Sequence, residues 1–352
     1  MLKTNYVKEP LLLVPPRNCL SVLCLNITTE ETAGWIEVTN YICYILFPVI
    51  LALSLLGQLI NIIVLTKQIR LSIDTYFFVL SITTFVHVTT SVIITLQHYV
   101  DKMLADVLYY SILSHEWTLY IIVWIILSVA LERTLTVTLY QTYNQVSPTQ
   151  SWVISGLVIG VGFISTIPRL WQYDMINYYN QTSSGDYKPI QDSYQPSIID
   201  RYHKAIEKTG DHKEYDVVYF WYITCIFIGL PFILMILTVI GLCTSVSTSR
   251  PIESKYRTDT ALILNRRLKE EMRLTHLIIK LMSLFIVLMF PLILMHCLYF
   301  INVFDMNDPV CITVTNVLSL WYHIFFIIQQ QIYFCYNKQY RLTFISLCCC
   351  FC

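Results

Sequence analysis

Ionisable side chains are scarce in the apolar stretches of this chain, so the few that occur there mark where chemistry is feasible. Four histidines and one glutamate stand out: His87, His115, Glu116, His296 and His323. A charged group inside hydrocarbon costs on the order of 2.5–3.5 kcal/mol on insertion scales, so such residues turn toward a protein interior. For any one of them a hydrogen-bonded core histidine is the commoner reading, but five drawn from four segments suggest a polar cavity. A second group is the pair Glu132-Arg133, which closes a long apolar run. It would serve either as an interfacial anchor or as a charged pair that exchanges partners. A third is Cys348, Cys349, Cys350 and Cys352 at the carboxyl end. Four cysteines in five residues cannot readily wrap one tetrahedral ion, so acylation is the preferred chemistry, and two acyl chains are enough for stable anchoring. No glycine loop that would cradle a phosphate and no His-Glu-x-x-His occurs, and nothing resembles an enzyme. No metal, cofactor or nucleic-acid partner is expected.

The elements that carry these residues follow from composition. Of 352 residues, 56% are hydrophobic and 13% charged, and the mean hydropathy is +0.59. A soluble domain of this size cannot hide so much apolar surface. Seven stretches are long and apolar enough to cross a bilayer as helices, each needing roughly 20 residues: about 41–67, 74–98, 105–138, 151–171, 218–243, 272–303 and 310–336. The expected fold is an all-α membrane protein, a bundle of seven transmembrane helices over 41–336. It is preceded by a tail over 1–40 and followed, over 337–352, by a short amphipathic helix and a cysteine-rich end.

Charge and glycosylation signals give the orientation. With the amino terminus outside, the inner side and inner span ends hold 13 basic and 6 acidic residues and the outer side 10 and 17, a net +7 against −7. That asymmetry favours an external amino terminus. The sequons at Asn26 and Asn180 both fall on the side this assigns as external, where glycosylation takes place. No cleavable signal peptide is apparent, since Leu11 to Val14 is short and Pro15-Pro16 ends it. The first span is expected to act as the insertion signal.

Three short motifs stand at matching places: Asn61-Ile-Ile-Val64 in the first span, "LERTLTV" in the third and "FIVLMFP" in the sixth. They resemble those of the rhodopsin-like G-protein-coupled receptors, the first matching that family's Asn-x-x-Val. "LERTLTV" is similar to the Asp-Arg-Tyr box, with Glu132 and Arg133 in the acid and arginine places, Thr134 for the tyrosine, and Tyr143 ten residues after the arginine. "FIVLMFP" keeps Phe285 and Pro291 of Phe-x-x-Cys-Trp-x-Pro, with Leu288 and Met289 substituted. Glu271 falls where many members place the acid that holds the helix 3 arginine, so Glu132 and Glu271 are both expected partners of Arg133. "QQQIYFCYNKQYR" keeps Tyr333, Tyr340 and Arg341 in register with Asn-Pro-x-x-Tyr and the aromatic-Arg pair that follows it, Gln329 and Gln330 standing for Asn-Pro. Pro231 and Pro168 fit helices 5 and 4.

The resemblance implies a receptor that couples to heterotrimeric G proteins at the plasma membrane. Glu132, Arg133, Tyr143, Glu271, Phe285, Pro291 and Tyr333 would form its switch. The offsets of His87, His115, Glu116, His296 and His323 from the motif anchors point, in that family, into or beside the outer ligand cavity. An acidic outer face suggests a basic peptide or chemokine ligand. Departures are equally informative. Thr84 stands where the family's sodium-binding aspartate belongs, Val239 where a helix 5 tyrosine does, and Leu108 where the bridging cysteine does. Cys19 or Cys24 with Cys311 is the alternative bridge, as in chemokine receptors. Such erosion resembles receptor homologues carried by herpesviruses, which often signal constitutively, although a fast-evolving animal receptor would look the same. A non-signalling seven-helix decoy or scaffold is the second reading, and a transporter or channel the third.

Overall fold

In a computed structural model of the chain, the described residues are 34, 38, 41–69, 72–96, 105–138, 147–183, 222–248, 259–300 and 309–351. Among them the regular structure is entirely helical. Helix α1 is a π-helical turn, Ile42–Leu46, continued by Phe47–Thr66; α2 is Ser72–Leu96, α3 Ala105–Thr138 and α4 Pro148–Ser183. The fifth, α5, again starts with a π-helical stretch, Ile223–Gly229, continued by Leu230–Thr248. Then follow α6, Asp259–Phe300, α7, Pro309–Tyr336, and α8, Lys338–Phe351.

Both π-helical stretches lie just before a proline, Pro48 in α1 and Pro231 in α5. Proline donates no N–H and its ring presses on the carbonyl four residues earlier. A widened turn ahead of it relieves that pressure while the helix continues. Side chains set two helix starts. At α4, Ser147 N–H donates to Gln150 Oε1 at 2.8 Å and Gln150 N–H donates to Ser147 Oγ at 3.2 Å, the reciprocal capping pair that satisfies two otherwise orphaned amides. At α8, Asn337 Oδ1 accepts from the Tyr340 amide at 3.0 Å, which ends α7 and turns the chain into α8.

Six helical segments are long and apolar enough to cross a membrane: Tyr44–Thr66, Ser72–Leu96, Tyr110–Val137, Pro148–Ile167, Cys225–Ser247 and Met272–Met295. The chain is an all-α membrane protein. Large apolar side chains such as Leu157 on α4, Ile233 on α5 and Val287 on α6 are exposed on the outer surface of the bundle, as a hydrocarbon solvent requires. Helix α7 is 28 residues long but is not one of the six, and it carries Asn316, His323 and Gln329 as buried polar side chains. It packs against α1 and α6 and closes the ring of helices; α3 runs through the middle, touching α2, α4, α5 and α6.

Two helices are longer than the sequence predicts. The apolar span of α4 ends near 171, yet the helix continues to Ser183, because residues 172–183 hold no glycine or proline to stop it. Helix α6 begins at Asp259 instead of near 272. Its added stretch, "DTALILNRRLKEE", is dominated by good helix formers.

Candidate functional site

Three polar clusters lie inside the bundle. The first joins α2, α3 and α6. Glu132 and Arg133 are neighbours on α3 with 8% and 3% of their surface exposed, and they turn toward different helices. Ser72 on α2 donates a hydrogen bond to Glu132 Oε1, and Tyr76 adds a second. Arg133 donates from Nε to Thr275 Oγ1 on α6 at 2.9 Å. Two donors of α2 thus hold the acid, and the guanidinium bridges to α6. Glu271, the other expected partner, lies one turn before Thr275 and its side chain is outside the described residues, as is Tyr143 altogether.

The second cluster joins α1, α2, α7 and α8 around Gln58. Its Nε2 donates to the Phe326 carbonyl at 2.9 Å and to Gln329 Oε1 at 3.2 Å. Its Oε1 accepts from Asn61 Nδ2 at 3.3 Å and lies 2.9 Å from Thr84 Oγ1, whose single hydrogen is shared with the Leu80 carbonyl at 2.7 Å. Both donors of the amide are therefore used. The chain of contacts runs on at either side. Gln329 Nε2 donates to the Tyr333 hydroxyl at 2.8 Å, and the Tyr340 hydroxyl donates to Asn61 Oδ1 at 2.6 Å. Burial pushes the Tyr340 phenol above its ordinary pKa, so it remains a donor at neutral pH. Tyr333 also packs on Phe77 at a centroid distance of 4.9 Å and on Tyr340 at 5.9 Å.

The third cluster joins α2, α3 and α7 and is made of histidines. The rings of His87 and His115 stack at 3.9 Å between centroids, and His323 lies 6.3 Å from His87. None is more than 1% exposed. His87 Nδ1 lies 3.2 Å from the His115 carbonyl oxygen and 3.0 Å from Thr118 Oγ1. A carbonyl only accepts, so Nδ1 carries the proton and Nε2 accepts from the Tyr322 hydroxyl, 3.1 Å away. His323 Nδ1 likewise donates to the Ser319 carbonyl at 2.7 Å. Ser91 Oγ sits between the other two nitrogens, 3.1 Å from His115 Nδ1 and 3.3 Å from His323 Nε2. Among the described residues no group of three or more His, Cys, Asp or Glu is arranged to hold a metal, and stacked rings present their faces to one another instead of converging lone pairs.

Other expected site residues are distributed as follows. Phe285 is fully buried, edge-on to Phe325 of α7 at 5.1 Å and tilted against Phe232 of α5 at 5.8 Å. Pro291 lies within α6. Glu116 is buried beside His115. The side chains of His296, Asn180 and Cys350 are outside the described residues, and so are Cys19, Cys24, Asn26 and Cys352. Cys311 is buried at the start of α7, whereas Cys348 and Cys349 are exposed on α8.

Sequence reasoning missed Gln58, Thr275, Ser72, Ser91 and Tyr322. Gln58 carried a usable signal: an amide three residues before Asn61 shares its helix face in an otherwise apolar stretch. The hydroxyl residues carried none, since serine and threonine in a span more often bond their own helix. No family model matches the sequence, and no curated protein matches it.

Proposed function

We propose that the chain is a divergent rhodopsin-like receptor, seven helices with the amino terminus outside, that signals through heterotrimeric G proteins from the plasma membrane. The observation that carries this reading is the buried Arg133 hydrogen-bonded to Thr275 across α3 and α6. A guanidinium is costly to bury unless every partner is in place, and a contact between two helices is one that a conformational change can break. Breaking it would open a cleft beside α6 for a cytoplasmic partner. Phe285, wedged between Phe232 and Phe325, would couple such a movement to α5 and α7. Gln329 supports the reading as well, because it engages Tyr333 and Gln58 at the place where the family has Asn-Pro. Exposed Cys348 and Cys349 on α8 fit acylation that would fasten this helix to the inner leaflet.

The test is G-protein activation in cells without added ligand, comparing the natural chain with Arg133→Ala. Basal signal that the substitution abolishes is the expected result. Equal silence of both proteins would turn the assignment to a decoy or scaffold of the same architecture.

A further inference from the structure

The span Met272–Met295 of α6 carries two cations, Arg273 and Lys280, and no acid. Both are exposed, and with the exposed His276 they stand at i, i+3 and i+7 on one face of the helix. Farther along α6 that face turns wholly apolar, with Val287, Phe290 and Leu294 exposed on it. Lys280 is the deepest of the three polar groups, five residues beyond Thr275, a rise of about 7.5 Å. A helical side chain leans toward the start of its own helix. The Lys280 Nζ accordingly donates to the Tyr336 hydroxyl and sits 4.2 Å from the centroid of that ring. Tyr336 is the last residue of α7, so the ammonium reaches the level at which the chain passes into α8, as a lysine within a span reaches for the interface.

What it meets there does not neutralise it. An ammonium has three hydrogens to donate, and the uncharged phenol takes one. Helix α7 has no acidic residue over Pro309–Tyr336, and the nearest acid along α6, Glu271, comes nine residues earlier, on the opposite side of the helix. The Tyr336 hydroxyl accepts from Lys280, and its own hydrogen has no acceptor among the described residues. A single anionic oxygen placed here would accept from both groups.

We propose that the seam between α6 and α7 at this end of the bundle binds an anionic phospholipid. Its phosphate lies between Lys280 and Tyr336, Arg273 and His276 stand beside its headgroup, and its acyl chains run along Val287, Phe290 and Leu294. Cations followed by hydrocarbon-facing side chains match one amphiphile standing in the leaflet, whereas a soluble anion would use only the first part of the face. On the orientation proposed above, this end faces the cytoplasm, whose leaflet holds the anionic lipids. The inference needs only a chain that spans a membrane, so its failure and that of G-protein coupling are separate results.

The test places the full chain in neutral detergent with phosphatidylserine or phosphatidylcholine of identical acyl chains and counts retained lipids by native mass spectrometry. The natural protein is expected to prefer phosphatidylserine about fivefold, the effect of one lysine beside anionic lipid. Lys280→Met should lose that preference and Tyr336→Phe should weaken it. Lys338→Gln, which removes an exposed charge from α8, should leave it unchanged. Equal retention of the two lipids by the natural protein, or an unaltered preference in Lys280→Met, overturns the proposal. An equal loss in Lys338→Gln does so too, because the preference would then follow net charge. Should Lys280→Met not fold, photoactivatable phosphatidylserine on the natural chain decides: the label must map to residues 273–294 or to the end of α7, and label confined to other helices overturns the proposal.

Discussion

Arg133 Nε lies 2.9 Å from Thr275 Oγ1, while the preceding residue, Glu132, is held by Ser72 on the opposite flank of α3. Successive residues of a helix point about 100° apart, so an adjacent acid and base in a tightly packed helix are drawn to different neighbours. The charged pair is thereby divided between α2 and α6. The hydrogen bond that Arg133 makes to α6 at Thr275 is to a hydroxyl, a weaker acceptor than a carboxylate.

Thr275→Val keeps the shape of the side chain and removes the acceptor. A hydrogen bond to a charged group contributes about 1.5–3 kcal/mol, so the closed arrangement should lose about tenfold or more in population. The expected outcome is raised ligand-independent G-protein activation, measured by nucleotide exchange, with Thr275→Ser close to the natural protein. Unchanged basal activity in Thr275→Val would remove this contact from the switch.

Gln58→Leu tests the amide at the centre of the second cluster. It strands the Asn61 and Gln329 groups that now meet Gln58, and each unsatisfied buried group costs about 1–3 kcal/mol. A clear fall in melting temperature is expected. The double substitution with Gln329→Leu should cost less than the sum of the two singles, because residues in one network do not add. Strict additivity would show that the two amides act separately.

Gly57 of α1 faces the end of the Gln330 side chain on α7. A Cβ built there would stand 2.8 Å from Gln330 Oε1, and Gln330 also hydrogen-bonds Tyr340 of α8. Gly57→Val should destabilise by roughly 1–3 kcal/mol through overpacking, and Gln330→Ala in the same chain should recover part of it. If Gln330→Ala gives no relief, the crowding lies elsewhere.

Sodium should have little effect on this protein. On the proposed receptor reading Thr84 stands where an aspartate would; its hydroxyl lies 2.7 Å from the Leu80 carbonyl and 2.9 Å from Gln58 Oε1, so an uncharged amide and a hydroxyl would fill the position of a carboxylate. Replacing sodium with N-methylglucamine at constant ionic strength should leave melting temperature and basal signal unchanged. A sodium-dependent shift in either would show that a cation site survives.

Several features could be read from the chain alone, for a physical reason: apolar length is a local property, and hydrocarbon tolerates little except helices. Hence the placement of α1, α2, α3, α5 and α7 to within a few residues, and the separate helix α8 after Asn337. Spacing within one helix is local too, which is why Glu132 and Arg133, or Gln329 and Tyr333, could be picked out as pairs. Choice among neighbours is not local. That Arg133 would reach Thr275, that Ser72 would take Glu132, and that His87, His115 and His323 would stack into one buried group depended on how far each helix is turned about its axis. That rotation is set by packing against all the others at once, so it could not be read from the residues of any single helix.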